Sequence, residues 1–416
     1  MRLIVQKYGG TSVGSAERIR NVAQRIVQTQ REDCRVVAVI SAMAGVTDNL
    51  IKLAGEMSAD PAKRELDVLL ATGERAASSL VAMAINALGA KSVSLSGADA
   101  GILTDSVHTR ARISNISAKQ IQALLAEGYI VIVAGFQGQT AEGETTTLGR
   151  GGSDLTAIAL AGALNADACQ IFTDVDGVFT CDPKIVSKAE KLGEVAYDEL
   201  LEMAGVGSKV MQSRAVEFAK KFGVEFEVRS SLNDKPGTVA KEETPSMEDV
   251  VIRGISVDRK QAKVTVDDVR DEPGIAGRIF STIARGNIVV DMIVQSVSEH
   301  GTTDVSFTIH ESDVDAAKNM LGPLIKEVHA AGLITKSGVA KLSVVGIGMR
   351  SHSGVAARLF ECLGKGGINI QLISTSEIKI AVVVDEKDID RATQLVHAEF
   401  GLARLSPTTP VPRPVE

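Results

Sequence analysis

The C-terminal part of this chain contains an internal repeat, which constrains the fold because both copies must adopt the same structure. The segments 274–280 (GIAGRIF) and 354–360 (GVAARLF) match at an offset of 80 positions. Other positions match at the same offset: Gly286 with Gly366, Ile288 with Ile368, Ile293 with Ile373, and Ser296 with Ser376. Self-similarity at a fixed period indicates two copies of one module.

Each copy has the pattern strand, glycine-started helix, strand, strand, helix, which is typical of a ferredoxin-like βαββαβ unit. The second copy runs out of chain, because after a helix near 388–399 only residues 402–405 could pair before a Pro-rich tail. The extra strand-like run at 250–258 could supply the missing edge. We therefore predict a first module at 259–337, a second module made of 250–258 and 338–405, and a disordered tail at 406–416.

The N-terminal half alternates buried-strand patterns with amphipathic helical ones, which favours a mostly parallel α/β sheet covered by helices on both faces. The predicted strands are 3–6, 36–40, 92–95, 130–134, 169–173 and 224–228. The predicted helices are 15–30, 47–57, 62–88, 118–126, 153–165 and 208–222. A turn cluster and a charged, Pro-containing stretch follow. We expect one domain at 1–235 and a linker at 236–249.

Two glycine-rich segments follow predicted strands. In the first, Lys7 precedes Gly9 and Gly10, which let the backbone turn sharply near a helix N-terminus, where anions are favoured. In the second, residues 149–152 (GRGG) precede Ser153 and open a helix. Each segment has a nearby cation, so phosphate binding is the functional interpretation. The alternatives are an ordinary βα turn for the first segment and a simple N-cap for the second.

Acidic residues follow the strand at 169–173, at the edge where ligands bind open α/β sheets. Asp174, Asp176 and Asp182 could hold Mg²⁺, hydrogen-bond a ribose, or shape Asp-Gly and Asp-Pro turns. Glu74 lies among apolar residues, so its carboxylate, if buried, must be paired or functional. The alternative is that Glu74 pairs with Arg75 or faces solvent. Phosphoryl transfer requires backbone hydrogen-bond donors around the phosphates, together with cations and carboxylates.

Composition narrows the function classes. A net charge of −7 without a basic run argues against nucleic-acid binding, and 44% hydrophobic with 23% charged residues is typical of a globular protein. The four cysteines have no paired spacing, so neither a metal site nor a disulfide framework is expected. No leader and no uninterrupted membrane-length apolar span is evident. We expect a cytoplasmic protein with no nucleic-acid or membrane partner.

Six motifs, in order, resemble those of the aspartate kinases of the amino acid kinase superfamily. They are 7–12 (KYGGTS), 41–43 (SAM), 72–74 (TGE), 135–138 (GFQG), 148–154 (LGRGGSD) and 173–177 (TDVDG). The two C-terminal modules resemble ACT domains, and the resemblance extends to about residue 400. It implies ATP-dependent phosphorylation of the side-chain carboxylate of L-aspartate to 4-phospho-L-aspartate, the entry step to lysine, threonine and methionine, with nucleotide-bound Mg²⁺.

The resemblance also implies roles for individual residues. The implied catalytic residues are Lys7, Gly10 and Asp154. The implied aspartate-binding residues are Thr47, Glu74, Arg150, Gly151, Gly152 and Ser153. The implied nucleotide-binding residues are Lys7, Tyr8, Gly9, Gly10, Ser41, Thr173, Asp174, Phe179, Lys184, Lys209 and Val210. Phe179 and Lys184 depart from the family, which commonly has Tyr and often Arg there. No metal ligand is assigned.

The ACT pair implies feedback inhibition by lysine, threonine or both. The implied effector positions are Asp271, Gly274, Ala276, Val289, Val290, Asp291, Gln295, Asn369, Ile370, Ser376 and Glu377. Loop geometry is the alternative explanation for these residues. Met247 resembles the internal start from which some family members make an ACT-only regulatory chain. We expect a homo-oligomer or an assembly with such a chain.

Two other functions are compatible with these motifs. The first is another kinase of the same superfamily, acting on carbamate, acetylglutamate, glutamate or uridylate. The context of Tyr8, Thr11, Ser12 and Glu74, together with the ACT pair, favours aspartate. The second is a non-catalytic amino-acid sensor built on the ACT pair.

Overall fold

A computed structural model of the chain describes residues 1–204, 211–243, 251–297 and 301–404. The described residues form two compact units. The first contains those of 1–178, 191–205 and 209–244, and the second those of 179–190 and 245–416. Lys209, Val210 and Met247 lie outside the described residues, as does the tail at 406–416.

The first unit contains two sheets. Its strands are β1 (Arg2–Tyr8), β2 (Cys34–Ile40), β3 (Ser92–Leu95), β4 (Ile102–Thr104), β5 (Ile113–Ile116), β6 (Ile130–Ala134), β7 (Gln137–Gln139), β8 (Thr145–Thr147), β9 (Ala168–Thr173), β10 (Glu194–Ala196), β11 (Phe226–Ser230) and β12 (Thr238–Lys241). The large sheet has the order β10-β12-β11-β9-β1-β2-β6-β3, and only the β11–β12 pair is antiparallel. The small sheet has the order β5-β4-β7-β8.

Helices cover the large sheet. They are α1 (Ala16–Arg31), α2 (Val46–Met57), α3 (Lys63–Ala87), α4 (Lys119–Ala126), α5 (Gly152–Leu164), α6 (Tyr197–Ala204) and α7 (Ser213–Phe222). Alternate residues of β2 (Val36, Ala38 and Ile40) join one core with α1 and α3. The residues between them, Val37 and Val39, are fully buried as well. Burial on both faces is expected of parallel strands and confirms the predicted fold class.

The structure differs from the sequence-based expectation at the end of this unit. The stretch expected to begin the linker contains β12, which pairs with β11 and β10. Its short alternating pattern is easily taken for a loop, but Ala240 is fully buried in the sheet. The strands β4, β5, β7 and β8 were also not predicted, because runs of three or four residues give a weak periodic signal.

Helix α3 is the one described helix that is long and apolar enough to cross a membrane. Half of its apolar 18-residue stretch is buried inside the protein, as in the core helix of a globular domain. This helix also carries two buried carboxylates, Asp67 and Glu74.

The second unit contains one antiparallel sheet of six strands with helices packed on it. The strands are β13 (Gly254–Arg270), β14 (Val290–Val297), β15 (Thr302–His310), β16 (Gly332–Val345), β17 (Leu372–Thr375) and β18 (Lys379–Asp385). The helices are α8 (Ile275–Arg285), α9 (Val314–Glu327), α10 (Val355–Lys365) and α11 (Ile389–Glu399). The strand order is β14-β15-β13-β16-β18-β17.

The two repeats share the long central strands β13 and β16. Residues 261–270 of β13 pair with β15, whereas Gly254 to Asp258 pair with residues 341–345 of β16, which in turn pair with β18. The pairing of β13 with β16 changes register between Asp258 and Lys263. The extra strand before the first repeat thus lies in the half of the sheet that belongs to the second.

The run at 402–405 was considered as a possible closing strand, and its described residues, 402–404, differ from that expectation. Leu402–Arg404 forms a 3₁₀ turn, and Leu402 is 1% exposed in the core of the second repeat. The sheet position that a closing strand would take is already occupied by the start of β13. Packing of Leu402 therefore replaces strand pairing at the end of the repeat.

Candidate active site

A buried ion pair lies where the two glycine-rich segments of the first unit meet. Lys7 is near the carboxyl end of β1, and Asp154 is in the first turn of α5. The Nζ of Lys7 is 2.6 Å from Oδ1 of Asp154, and each side chain is only 11% exposed. Burying either charge alone would be costly, so each side chain serves as the other's partner.

The first glycine segment is a tight turn that has no room for a larger residue at Gly10. A Cβ on Gly10 would lie 2.7 Å from the carbonyl oxygen of Ala42, whereas one on Gly9 would be in ordinary contact with Nζ of Lys7, at 3.5 Å. The N–H of Gly9 donates to the carbonyl of Phe172 on β9, at 3.2 Å. The close approach of backbone to backbone explains why glycine is needed here.

The expected helix N-terminus is not directly at these glycines. Gly10–Val13 forms a single 3₁₀ turn, and α1 begins only at Ala16. Ser15 caps α1 by accepting from the N–H of Arg18. The positive end of the α1 dipole therefore lies at Ser15 and not at the two glycines. The positive charge next to Gly9 comes from Lys7.

The second glycine segment does lie at a helix N-terminus. Gly149 and Gly151 have φ values of +79° and +70°, a region that favours glycine, and α5 begins at Gly152. No side chain caps α5. Ser153 and Asp154 are buried, while Arg150 is exposed. Free N–H groups at the start of α5 and the neighbouring cation suit an anionic ligand.

Two supporting residues of this loop were not identified from the sequence. The guanidinium of Arg214 donates to the carbonyls of Leu148 and Ala111, the latter at 3.0 Å. Asp67 on α3 is fully buried and accepts from the N–H of Thr109 and the hydroxyl of Thr147. Both act through partners more than 40 residues away, which spacing patterns do not reveal.

Glu74 is a buried carboxylate with a free oxygen. Its Oε1 accepts from the N–H of Ala42 at 3.1 Å, while its Oε2 is buried and has no hydrogen-bond partner among the described residues. Burial raises the pKa of Glu74 to about 7, and the bond from Ala42 opposes this only partly. Gly73 packs closely on Ala42, with a Cβ position 3.0 Å from its methyl group. A cationic group would satisfy Oε2 and keep the carboxylate ionised.

The remaining residues of the expected aspartate and phosphate sites lie between the end of β2 and the first turn of α2. Ser41 follows β2, and its N–H donates to the carbonyl of Tyr8 at 3.1 Å. Thr47 lies in the first turn of α2 and is half-buried. The ring of Tyr8 stacks on Phe172 beneath this edge of the sheet.

The three carboxylates after β9 have separate hydrogen-bond partners. Asp174 is exposed and accepts from the Thr173 hydroxyl at 3.1 Å. Asp176 accepts from the side chain of Asn233 at 2.8 Å, and Asp182 from the N–H of Lys184 at 2.8 Å. Among the residues that the structure describes, no three His, Cys, Asp or Glu side chains are grouped to hold a metal ion.

The expected nucleotide-binding residues are divided between the two units. Thr173 and Asp174 belong to the first unit, whereas Phe179 and Lys184 belong to the second. Lys209 and Val210 fall in a part of the chain that the structure leaves undescribed. The assignment of these residues to one nucleotide pocket therefore stays a prediction.

The expected effector residues all lie in the second unit. Asp271 and Gly274 precede α8, and Ala276 is in its first turn. Val289, Val290, Asp291 and Gln295 lie on or beside β14, while Asn369, Ile370, Ser376 and Glu377 flank β17. These two edge strands contact each other, because Met292 of β14 and Leu372 of β17 share a small core.

Asp291 has a buried partner in this unit. It is 36% exposed and forms an ion pair with Lys341 of β16, whose side chain is 2% exposed. Asp258, opposite Lys341 in the sheet, has its pKa raised by burial, and Lys341 opposes this shift. The ammonium of Lys341 is therefore held between carboxylates of both repeats.

Known proteins resemble both units. A model of the amino acid kinase family matches residues 2–230, and an ACT domain model matches residues 264–322 and 342–400. An aspartate kinase of Pseudomonas fluorescens is 51% identical over 405 residues, covering 97% of this chain and 98% of that protein. An aspartokinase of Helicobacter pylori is 48% identical and covers 96% of this chain and 99% of its own length.

Solved structures agree with these matches. Aspartokinase III of E. coli in complex with aspartate and ADP superposes with a TM-score of 0.78 at 25% identity, covering 95% of this chain and 99% of that one. The same enzyme in complex with lysine and aspartate gives a TM-score of 0.77 at 26% identity, covering 96% and 99%.

Proposed function

The chain belongs to the amino acid kinase family, as an aspartate kinase with two C-terminal ACT domains, and from this premise we propose that it converts L-aspartate to 4-phospho-L-aspartate with ATP. The observation that carries the proposal is the buried Lys7–Asp154 pair between two glycine-rich segments. It supplies a fixed cation at the carboxyl edge of a parallel sheet, where ligands bind in this class of fold.

Phosphoryl transfer needs positioning and charge stabilisation more than covalent chemistry. The β-carboxylate of aspartate is already ionised at neutral pH, so it attacks the γ-phosphorus without a general base. The new carboxylate–phosphorus bond forms as the bond between the γ-phosphorus and the bridging oxygen of ATP breaks, and ADP leaves with that electron pair. Lys7 stabilises the charge on the transferring group, and Asp154 orients Lys7.

We assign the α-ammonium of aspartate to Glu74. The unpartnered Oε2 of this buried carboxylate supports the assignment, since a cation there would satisfy it. Arg150 and the N–H groups of Gly151, Gly152 and Ser153 are suited to the carboxylates of the substrate. Thr47 completes the proposed aspartate site from the start of α2.

ATP is the proposed phosphoryl donor, supported by the ADP complex of the E. coli relative. Mg²⁺ is expected to arrive with the nucleotide phosphates, whose charge it neutralises. The described part of the chain offers no group of three carboxylates or imidazoles for it. We therefore assign Mg²⁺ no protein ligand set, and no step above depends on one.

We assign the ACT domains to feedback inhibition by lysine, threonine or both, as end products of the pathway that 4-phospho-L-aspartate enters. The lysine complex of the E. coli relative supports an amino-acid effector. Inhibition requires an effector to bind one conformation of the enzyme more tightly than another. The expected effector positions lie on or beside β14 and flank β17, the two end strands of one sheet, which contact each other. We expect a homo-oligomer or an assembly with an ACT-only chain.

Hydroxylamine trapping tests the reaction directly, because an acyl phosphate gives a coloured hydroxamate with ferric ion. We expect hydroxamate to form with ATP and L-aspartate and not with L-glutamate. Turnover of glutamate but not aspartate would reassign the substrate. Binding of lysine or threonine by a well-folded protein that has no turnover would favour a non-catalytic sensor. Rates with each effector alone and with both together would identify the inhibitor.

A further inference from the structure

The segment 179–190, here called the strap, belongs to the second unit although the chain on either side of it belongs to the first. The chain leaves the first unit after Val178 and returns at Lys191. The N–H of Leu192 donates to the carbonyl of Val178 at 2.8 Å and closes the base of this excursion. The strap carries Phe179 and Lys184, two residues that the family resemblance assigns to the nucleotide.

Apolar side chains of the strap are part of the core of the second ACT domain. Cys181 is 3% exposed and Val186 is 8% exposed, and both belong to the cluster formed by Leu342 and Val396. The apolar side chains of Ile185 and Ala189 pack against the same cluster. The strap is therefore packed into the core of this domain through its apolar side chains.

Hydrogen bonds fix the strap to two elements of the second ACT domain. The hydroxyl of Thr180 lies 3.0 Å from Nε2 of His397 on α11. The carbonyl of Thr180 accepts from the N–H of Ile255 on β13 at 2.7 Å. The side chain of Gln394 donates to the carbonyl of Ile185 at 3.0 Å. Two of these three bonds come from one face of α11.

His397 is buried beneath the strap. Its side chain is 2% exposed, and burial lowers its pKa, so the ring is neutral at pH 7. A neutral ring can accept the hydroxyl hydrogen of Thr180 at Nε2. The same hydroxyl oxygen accepts from the N–H of Glu190 at 3.1 Å. Thr180 therefore ties the two ends of the strap to each other and to α11.

Comparison of the repeats shows that this arrangement is special to the second one. Helix α9 of the first repeat begins at Val314 and α11 at Ile389, so equivalent helix positions differ by 75. The position of Gln394 is taken by Asn319 in the first repeat, and that of His397 by Gly322. Asn319 and Gly322 are exposed, and a Cβ on Gly322 would meet nothing within 4 Å.

The geometry points to His397 as a positioning residue for nucleotide binding: it anchors Thr180, so that the strap follows the state of the second ACT domain. The inference rests on the proposed function, with ATP as the phosphoryl donor, and on the prediction that Phe179 and Lys184 contact the nucleotide. Because the strap is continuous in sequence with the first unit, it would transmit a change in the second ACT domain to nucleotide affinity. His397 and Thr180 are assigned an effect through the strap and no contact with the reacting atoms.

The first test compares steady-state kinetics of the full-length protein with those of Thr180→Val, Thr180→Ser and His397→Gln. Thr180→Val removes the hydroxyl while keeping the shape, and we expect KM for ATP to rise about tenfold, the effect of one buried hydrogen bond. KM for aspartate stays within about twofold. Thr180→Ser restores the wild-type value, because it keeps the hydroxyl, and His397→Gln has an intermediate effect.

The matched controls are Gln394→Ala and Asn319→Ala. Gln394 bonds to the strap, while Asn319 takes the equivalent position in the first repeat and is exposed. Only Gln394→Ala should raise KM for ATP and weaken inhibition by lysine or threonine, whereas Asn319→Ala should leave both unchanged. Equal KM for ATP in wild type and Thr180→Val, both folded, would overturn the inference, as would failure of Thr180→Ser to restore it.

Hydrogen–deuterium exchange provides a measurement that does not depend on turnover. We expect faster exchange of peptides covering the strap in Thr180→Val, with unchanged exchange in α11 and in the first repeat. Unchanged exchange in the strap would overturn the anchoring role even if kinetics were altered. Absence of hydroxamate formation by the wild-type protein would instead contradict the proposed function, while the exchange result would still decide the anchoring.

Discussion

The ammonium of Lys7 and the carboxylate of Asp154 lie 2.6 Å apart, with only 11% of either side chain exposed. The Lys7→Met variant removes the cation that would stabilise the transferring phosphoryl group. We expect kcat to fall about 10²- to 10³-fold, as for loss of one preorganised donor, with a small change in KM for aspartate. Steady-state rates measure this directly, and Lys52→Met, an exposed lysine of α2, is the control.

Lys7→Met should also lower stability, because it leaves Asp154 buried without its partner. Breaking one side of a buried pair costs roughly 3–5 kcal/mol. The double variant Lys7→Met with Asp154→Asn removes both charges, so we expect thermal unfolding to return towards the wild-type temperature while turnover stays lost. Recovery of turnover in the double variant would contradict a catalytic role for the cation.

The ionisation of Glu74 should control aspartate binding. The pKa of Glu74 is raised to about 7, and the proposed contact with the α-ammonium requires the charged form. We expect KM for aspartate to rise up to about tenfold per pH unit as pH falls below 7, with little change in kcat. Glu74→Gln should have a high KM that does not vary with pH. A wild-type KM that is constant between pH 6 and 8 would contradict this assignment.

The same residue should destabilise the unliganded fold at high pH. Because the folded-state pKa of Glu74 lies above its ordinary value of 4.5, its favourable contribution is complete below pH 4.5 and is lost as pH rises through about 7. Glu74→Gln should therefore gain stability relative to wild type, by at most about 3 kcal/mol at pH 8 and by little near pH 4.5. Denaturant unfolding at the two pH values gives the difference.

Two glycines on neighbouring elements should respond oppositely to alanine. A Cβ on Gly10 would lie 2.7 Å from a backbone oxygen, whereas one on Gly55, exposed on α2, would meet nothing within 4 Å. We expect Gly10→Ala to displace the turn beside Lys7 and lower turnover at least tenfold. Gly55→Ala should stabilise the helix by about 0.5–1 kcal/mol with unchanged rates. Full activity of Gly10→Ala would show that the turn tolerates displacement.

The buried Lys341 should matter for the effector response. It pairs with Asp291, an expected effector residue, and Lys341→Met replaces the buried ammonium with an apolar chain of similar length. We expect a folded protein whose half-inhibiting effector concentration rises at least tenfold, with unchanged uninhibited rates. Lys336→Met is the matched control on the same strand, since Lys336 pairs with Asp385 but is half exposed. Identical inhibition curves would reject the role.

The main features of the fold followed from patterns that are local in sequence. Buried strands such as β2 and β6 appear as continuous apolar runs, and the repeat at 274 and 354 defines two modules. The pairing of the run at 250–258 could be reasoned from the missing strand of the second module. What could not be predicted depends on partners distant in sequence. Ala240 pairs with Phe226 of β11, and the strap is hydrogen-bonded to Gln394 of α11.

In the candidate active site, too, some features could be predicted from the sequence and others depend on partners distant in sequence. Lys7 and Asp154 were expected in one site because the family resemblance implies catalytic roles for both. The burial of Glu74 depends on how closely Gly73 approaches Ala42, and the support from Arg214 depends on two distant carbonyls. These packing distances have no counterpart in spacing or composition. The individual roles of the site residues stay predictions until the variants are measured.

The sharing of β13 and β16 between the repeats has a consequence for the order of folding. The first repeat can assemble from one continuous stretch, whereas the second must join Gly254 to Val345 across the whole of the first. Loop closure over that separation is entropically costly until the intervening chain is compact. We therefore expect the first repeat to form early and act as the scaffold on which the ends of the second are brought together. Cutting the chain between the repeats would break β16, a strand that both repeats share.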